Sequence, residues 1–322
     1  MPTNMLQTYT VIGIKEDVDD KIYRVTPEET PFISSIGRKS VDATNPEWLR
    51  DSLRAPGANA AIEGADATYA AQTQPERLSN RTQIIQDTLS VTGTTDRVSK
   101  YGRAKETNRL LAKKAVELKK DVEYAAIANG AFVAGAAATA REMRGLYGWV
   151  ATNRETGAGA GAAPVIATNT APVAGTLRAF TEDLLKSLVL KVYNSGGKGE
   201  ILMVSPSHKQ KASTFTGNVQ RTNEVTNKSG VLQTSFSVYG HDYGNTKVVP
   251  NRVMVGATAG LRSTAYLYDA EQCKLGVLRP FRSDELAKVG DAVNHQILTE
   301  VTLQVNEEKA LGAIADLTIT GS

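Results

Sequence analysis

The stretch SKYGRAKETNRLLAKKAVELKKDVEYAAIAN, residues 99–129, decides the fold because its apolar residues recur at helical spacing. The stripe consists of Ala104, Leu111, Ala115, Leu118, Val122 and Ala125. The opposite face carries Lys105, Lys113, Lys114, Lys119, Lys120 and Asp121. Ser99 can cap the start and Gly130 can end the helix. The pattern predicts one helix about 45 Å long whose apolar stripe packs against a core.

The residues before this helix predict a long exposed hairpin. Glu47–Arg54 reads as a strand, and residues 57–75 are small, polar and typical of a loop that reaches away from a domain. Glu76–Thr95 alternates like a strand, but both alternating sets mix apolar with polar residues. We therefore expect a ribbon exposed on both faces. Such a ribbon is marginal alone and favours an assembly in which a neighbouring chain supports it.

The N-terminal residues predict short helices. Ile14–Arg24 has apolar residues four apart, and Thr26 can cap a second helix that continues through Phe32 and stops at Gly37. A short amphipathic segment of this kind packs on its own domain or on a neighbour, and the sequence leaves both open.

After the long helix, residues 151–176 are of low complexity and predict a flexible surface excursion. Thr181 caps a predicted helix over Glu182–Tyr193, and a buried strand and a short helix starting at Ser207 follow. Further short strands, including Val253–Val255, indicate a compact α/β unit from about 179 to 285. Asp291–Val305 and Ala310–Thr320 predict a closing hairpin.

Composition limits the functional classes. The chain has 322 residues, a net charge of +3 and 6% aromatic residues. The charge is too small for a dedicated nucleic-acid groove, and the low aromatic content suggests a core that neighbouring subunits complete. One cysteine, Cys273, rules out an intrachain disulfide and favours a reducing setting. No apolar run approaches a membrane span, and the acidic residues from Glu16 onward do not fit a signal peptide.

The residues that commonly carry catalysis form no recognisable constellation. The histidines at 208, 241 and 295 lack metal-ligand spacing. Ser205 and His208 are close in sequence, which is not triad geometry. The glycines at 157, 159 and 161 are not followed by the Lys-Ser/Thr of a phosphate loop. We expect no catalytic residue, metal or cofactor.

Several motifs resemble the major capsid proteins of tailed bacteriophages, in the branch related to phage SU10. They are PEETPF at 27–32 with IG at 36–37, EWLRDSL at 47–53, AIEGAD at 61–66, YGRA at 101–104, LAKK at 111–114 and ELKKD at 117–121. The order of parts along nearly the whole chain is also similar to this family.

The resemblance implies the α+β, Hong Kong-phage-like tailed-phage major capsid fold. Its parts would be an N-terminal arm (1–44), an extended β-hairpin loop (45–97), a peripheral domain (98–178) that holds the spine helix 99–129 and the insertion 151–176, an axial α/β domain (179–287) and a C-terminal β-hairpin (288–322) that closes the peripheral domain. The extended loop would lie over the adjacent subunit.

It also implies a non-catalytic subunit that self-assembles into hexamers and pentamers of an icosahedral shell. The shell would enclose double-stranded DNA through non-specific contacts, assemble in the host bacterial cytoplasm and become the virion capsid. Separate scaffold and portal proteins, and a decoration protein, would be the other partners, and no membrane is involved. We take as subunit-interface candidates Phe32, Trp48, Arg50, Asp51, Arg54, Glu63, Tyr69, Arg77, Arg81, Lys113 and Lys120.

Two alternatives remain open at this point. An encapsulin-like cellular compartment shell would share the fold but hold enzyme cargo. A soluble α/β enzyme would have an unrecognised site around Ser205–His208 or Cys273.

Overall fold

The computed structural model describes residues 28–318 except 65, 67–68, 70, 101–104, 216–237, 256–260, 262 and 289. Its helices are α1 Pro31–Ser35, α2 Gly93–Arg97, α3 Glu106–Ala128, α4 Leu146–Trp149, α5 Glu182–Asn194 and α6 Pro206–Ala212. Its strands are β1 Gly37–Ser40, β2 Glu47–Arg50, β3 Glu76–Ser79, β4 Gln83–Thr92, β5 Arg154–Glu155, β6 Ile201–Val204, β7 Val238–His241, β8 Gly244–Pro250, β9 Ala265–Tyr268, β10 Cys273–Leu286, β11 Ala292–Val305 and β12 Gly312–Ile314.

The first core lies between α3 and a four-stranded sheet of order β1-β10-β11-β4. Strand β1 pairs with β10 in parallel, and the other pairs are antiparallel. The buried end of α3, with Leu118, Val122 and Ile127, packs with Leu303 of β11. This packing confirms that the apolar stripe of the long helix faces the core of its own chain over its C-terminal half.

The second core lies under α5, on a six-stranded sheet of order β5-β12-β9-β6-β8-β7. Helix α5 begins after the predicted cap, since the Leu184 N–H donates to Thr181 Oγ1 at 3.4 Å. Leu185, Leu188 and Val192 are buried, as the helical spacing predicted. The helix α6 begins at Pro206, one residue before the predicted Ser207, because Ser205 is its cap.

The long helix is shorter at its start than predicted. Helix α3 begins at Glu106, and Ser99 is not its cap. Asp96, at the end of α2, takes that role, because its Oδ1 accepts from the N–H groups of Glu106 at 2.9 Å and Thr107 at 3.2 Å. These hydrogen bonds lower the pKa of Asp96. The cap therefore comes from a residue ten positions before the helix.

The prediction of one two-faced strand over Glu76–Thr95 was wrong. This stretch forms β3, β4 and the start of α2, and β4 buries Ile85, Leu89 and Val91 along one face. The break between β3 and β4 is fixed by Asn80, whose amide donates to the carbonyls of Arg144 at 3.0 Å and Leu303 at 2.7 Å. Among the strands that the structure describes, β2 and β3 form a separate two-stranded ribbon, and β2 ends at Arg50, before the predicted Arg54.

The predicted closing hairpin was also wrong. Strand β11 pairs with β10 and β4 in the four-stranded sheet. Strand β12 pairs with β5 and β9 in the six-stranded sheet. The turn at Glu308–Ala310 therefore carries the chain from one sheet to the other instead of folding it back.

Two further predictions need correction. Part of 151–176 belongs to the sheet through β5, and Ala162 bridges Val173, so the segment is an integrated hairpin with defined pairing. Asp316 fixes its base, because Oδ2 accepts from the Gly157 N–H at 2.8 Å. Residues Arg252–Val255 form a 3-10 helix where a strand was predicted.

The N-terminal predictions fall partly outside the described residues. The Ile14–Arg24 helix and the Thr26 cap lie there. Helix α1 begins later than predicted, at Pro31, because proline fits a first helical position. In the part of the chain that the structure describes, no helix is long and apolar enough to cross a membrane.

Candidate subunit interface

The segment between β2 and β3, residues 51–75, is called the loop tip here. Its described residues are all exposed and outside regular strands and helices. Leu53 is 99% exposed, Ile62 83% and Tyr69 97%. Large apolar side chains grouped on one projecting segment are typical of a surface that another molecule covers. The sequence prediction named Tyr69 but missed Leu53 and Ile62, whose only signal is that they are isolated apolar residues in a polar run.

The root of the loop, formed by strands β2 and β3, is anchored in its own chain. The Trp48 indole N–H donates to the Val305 carbonyl at 2.9 Å, and its ring lies 5.6 Å from that of Trp149. Leu78 on β3 is 4% exposed and belongs to the first core. The predicted candidate Trp48 therefore holds the loop to its own subunit.

Arg50 adds an electrostatic anchor at the same root. Its guanidinium lies 3.2 Å from Glu307, 3.7 Å from Glu308 and 2.5 Å from Glu76. Burial lowers the pKa of Arg50, but the hydrogen bond to Glu76 and the charges of Glu307 and Glu308 outweigh it and raise the pKa. The pairs join β2 to β3 and to the turn before β12, so the direction in which the loop leaves the subunit is defined.

The remaining interface candidates differ in their exposure and in their partners within the chain. Asp51, Arg54 and Glu63 are exposed on the loop tip. Arg77 pairs with Glu47 at 3.3 Å across the β2–β3 ribbon. Arg81 lies 5.6 Å from the centre of the Phe132 ring within the chain.

Phe32 is fully buried against Tyr268, with ring centres 5.3 Å apart. This burial leaves no side-chain surface for a neighbour, so Phe32 is removed from the candidate interface. Its position is fixed by α1, whose first N–H groups are held by Glu123 on α3.

The lysines of α3 are partly neutralised within the chain. Lys114 lies 2.8 Å from Asp87 and 3.1 Å from Glu117, and Lys113 lies 3.6 Å from Glu117. The hydrogen bond to Asp87, followed by that to Glu117, raises the pKa of Lys114. Lys120 is half-buried. These pairs make the helix face a mixed-charge surface.

The residues of the enzyme alternative serve structural roles. His208 Nδ1 lies 2.9 Å from Ser205 Oγ, and Nε2 lies 3.0 Å from the Thr318 carbonyl. Both side chains are 2% exposed, and Ser205 Oγ also caps α6. Burial lowers the pKa of His208 and raises that of Cys273 to about 12. Among the described residues, no group of three potential ligands could hold a metal ion.

Comparisons with known proteins place this geometry in a family. The model of the SU10 major capsid protein family matches residues 1–318. The major capsid protein of Escherichia phage Phieco32 is 26% identical over 348 residues, covering 95% of each chain.

Solved structures share the fold at low identity. The capsid of a native GTA particle matches with a TM-score of 0.63 and 14% identity, covering 97% of each chain. The match to the structure from Mycobacterium phage Cain has a TM-score of 0.60 and 12% identity, covering 96% of each chain. The SrpI encapsulin of Synechococcus elongatus matches with a TM-score of 0.54 and 10% identity, covering 94% of each chain.

Because an encapsulin shares it, the fold alone does not separate a phage shell from a cellular compartment. The sequence family does, since its match spans nearly the whole chain. The chain belongs to the SU10 major capsid protein family and is the structural shell protein of a phage.

Proposed function

We propose that neighbouring subunits are joined by the loop tip, which lies over the adjacent subunit of a hexamer or pentamer in an icosahedral shell. The observation that carries this proposal is the contrast between root and tip. The root is held by Trp48 and Arg50, whereas Leu53, Ile62 and Tyr69 project with almost their whole surface exposed. Burying such side chains contributes about 1.5–3 kcal/mol each, and a second subunit is the surface always available in a shell.

The domains of the chain would then have different positions in the shell. The peripheral domain, built on α3 and the four-stranded sheet, would carry the loop, and the axial domain, built on α5 and the six-stranded sheet, would surround the five- and six-fold positions. The subunit acts without catalysis, as the buried Ser205–His208 pair supports. Separate scaffold, portal and decoration proteins act beside it.

The shell would enclose double-stranded DNA without reading its sequence. The net charge of +3 and the paired lysines of α3 support weak, non-specific contact instead of a dedicated groove. Assembly would take place in the host bacterial cytoplasm.

Deleting residues 56–75 tests the proposal. We expect a folded subunit that forms no closed shell, because both strands of the root and their anchors remain. Circular dichroism would report folding, and negative-stain electron microscopy with light scattering would report assembly. Any scaffold that the unmodified protein needs is supplied to all variants alike.

A second variant replaces residues 56–75 with glycine and serine at unchanged length. It distinguishes the loss of side-chain contacts from the shortening of the loop. We expect that it also forms no closed shell. Normal shells from the deletion variant would refute the proposal.

A further inference from the structure

Strand β4 forms one edge of the four-stranded sheet, with β11 as its neighbour. The Gly93 N–H donates to the Asp291 carbonyl at 3.1 Å, and this pair continues the register of β4 and β11. In an antiparallel pair, every second residue exchanges these hydrogen bonds. The backbone N–H and C=O groups of the alternate residues therefore point away from β11. These residues are Ile84, Gln86, Thr88 and Ser90.

The chain covers this side of the sheet before β4 begins. The Thr82 N–H donates to the Thr44 carbonyl at 3.0 Å. In the described part of the chain, no strand continues this cover along β4. The Thr88 N–H donates to the Asp87 carboxylate at 2.8 Å, a contact within β4 that pairing with another strand would replace. The outward backbone groups of β4 are thus open to a further strand.

The opposite edge of the same sheet shows how pairing is prevented. Strand β1 covers Lys274–Val277 of β10, so the rest of β10 is also an edge. This part contains Pro280 and two irregularities of register. It also carries the charged residues Arg279, Arg282, Asp284 and Glu285. Proline, irregular register and charge each hinder the addition of another strand.

Strand β4 has none of these protections. Its ten residues include no proline, lysine or arginine, and its register with β11 is continuous. Its one charged residue, Asp87, lies 2.8 Å from Lys114 of the same chain. A long edge without protection is a surface that pairs with a strand of another chain.

The properties of β4 identify the partner strand as β4 of a second copy. The other edge strands that the structure describes, β1, β2, β3, β5 and β7, have two to four residues. A two-fold axis places each residue near its own copy, so charged outward residues would repel one another. The outward residues of β4 are uncharged.

Charge also selects the register. With Asp87 on the two-fold axis, two carboxylates would lie directly opposite each other, which is unfavourable. With Thr88 on the axis, Thr88 pairs with its copy and Gln86 pairs with Ser90. Asp87 then lies opposite Leu89.

The long helix leaves room for this pairing. Helix α3 packs on both β4 and β11. Neighbouring strands are about 4.8 Å apart, so the two copies of α3 would be separated by about two strand spacings, or roughly 10 Å. Packed helices have this distance.

We propose that β4 pairs antiparallel with β4 of a second copy around a two-fold axis at Thr88, which joins the two four-stranded sheets into one. This contact involves no residue of the loop tip, and it therefore goes beyond the proposed function.

Disulfide formation at the axis tests the proposal. Directly opposite residues that exchange hydrogen bonds have Cα atoms about 5.5 Å apart, which suits a disulfide. We expect shells of Thr88→Cys to give disulfide-linked dimers after mild oxidation, identified by mass spectrometry. Cys273 does not compete, because it is the single native cysteine and is fully buried.

The matched control is Ser283→Cys on the protected edge of β10. Ser283 is exposed on the same sheet, and we expect no dimer from this variant. Equal dimer yields from Thr88→Cys and Ser283→Cys would show non-specific oxidation and overturn the proposal.

A mixture of variants tests the register. With Thr88 on the axis, two copies of Gln86 are four residues apart along the strands, or about 14 Å, which is too far for a disulfide. We expect no dimer from Gln86→Cys alone and a mixed dimer when it is assembled together with Ser90→Cys. A dimer from Gln86→Cys alone would contradict the register.

A lysine on the edge provides an independent readout. Thr88→Lys places two like charges opposite each other, so the subunit concentration needed for assembly should rise about two- to fivefold. Ser283→Lys adds the same charge to the protected edge and should leave this concentration unchanged. Both variants should keep the unfolding midpoint of the free subunit in urea, because both positions are exposed. Equal assembly concentrations would contradict the proposal.

Two further results would overturn the proposal. Shells in which neither Thr88→Cys nor the mixture of Gln86→Cys and Ser90→Cys forms a dimer would show that β4 does not pair with its copy. Dimers that form only after deletion of residues 1–27 would show that those residues cover β4 in the full chain.

Discussion

At the scale of single residues, two buried carboxylates hold elements together. Glu300 is 3% exposed and lies 2.6 Å from Arg141 and 2.8 Å from Arg279. Glu123, fully buried on α3, accepts from the N–H groups of Phe32 at 2.9 Å and Ile33 at 2.8 Å. It also accepts from the Asn251 amide at 2.7 Å.

The sequence did not predict the burial of either glutamate, because a charged residue within the apolar pattern of a helix or a strand indicates an exposed position. The partners of Glu123 lie 90 or more residues away in the chain, and no local pattern brings them together. The exposed loop residues Leu53 and Ile62 were missed for the opposite reason, since an isolated apolar residue carries no periodic signal.

Glu123 predicts a specific pH dependence. Burial raises its pKa, and the hydrogen bonds from Ile33, Phe32 and Asn251 oppose this only in part. At low pH the carboxyl is protonated in both the folded and the unfolded chain, and its full contribution to the free energy of unfolding is present. As the pH rises above the ordinary pKa of 4.5, Glu123 ionises first in the unfolded chain. The contribution to the free energy of unfolding therefore falls until the pH has passed the raised pKa of the folded chain.

Glu123→Gln removes this titration. We expect a constant loss of about 1–3 kcal/mol, since the amide cannot replace every acceptor. In addition to this constant loss, the free energy of unfolding by which the unmodified protein exceeds the variant should decrease as the pH rises from about 4.5. Urea denaturation of free subunits across the pH range measures this difference, and parallel stability curves would contradict the prediction.

At the scale of elements, β4 shows how register overrides composition. Its two faces look alike in sequence, with Ile84 and Ile85 adjacent. In the sheet, Ile85 pairs opposite Thr299 and is 8% exposed, whereas Ile84 is 43% exposed. Successive side chains of a strand point to opposite faces, so packing against α3 selects one set.

The two isoleucines therefore form a matched pair of variants. Ile85→Ala should lower the free energy of unfolding by about 2–4 kcal/mol, because it leaves a cavity in the first core. Ile84→Ala removes the same atoms from a half-exposed position and should cost less than about 1 kcal/mol. Urea denaturation of free subunits below their assembly concentration measures both. Equal losses would mean that β4 has no buried face.

Elements with a strong helical period were predictable, and pairings between distant strands were not. Helix α5 has its predicted cap and apolar face because both signals are local. Strands β11 and β12 are neighbours in sequence and read as a hairpin, yet each joins a different sheet. Partner choice depends on β4 and β9, which the local alternation of β11 and β12 does not encode.

At the scale of the whole molecule, the subunit divides its apolar surface between folding and assembly. Two cores are completed inside the chain. The loop tip and an apolar groove lined by Leu111, Phe281 and Ile297 remain accessible to solvent. The low aromatic content agrees with this division, since less area is buried per residue within one chain. Assembly strength can therefore change without a change in subunit stability.

The double variant Leu53→Ser with Ile62→Ser tests that separation. Both side chains are exposed in the free subunit, so its unfolding midpoint in urea should stay unchanged. Assembly should weaken, because two buried aliphatic side chains contribute about 3–6 kcal/mol and each 1.4 kcal/mol corresponds to about tenfold in concentration. We expect the assembly concentration, measured by light scattering, to rise by more than about tenfold. Ala58→Ser with Ala60→Ser changes the same loop without removing a large apolar group and should assemble normally. A fall in the unfolding midpoint of the first variant would instead show that the loop tip packs on its own chain.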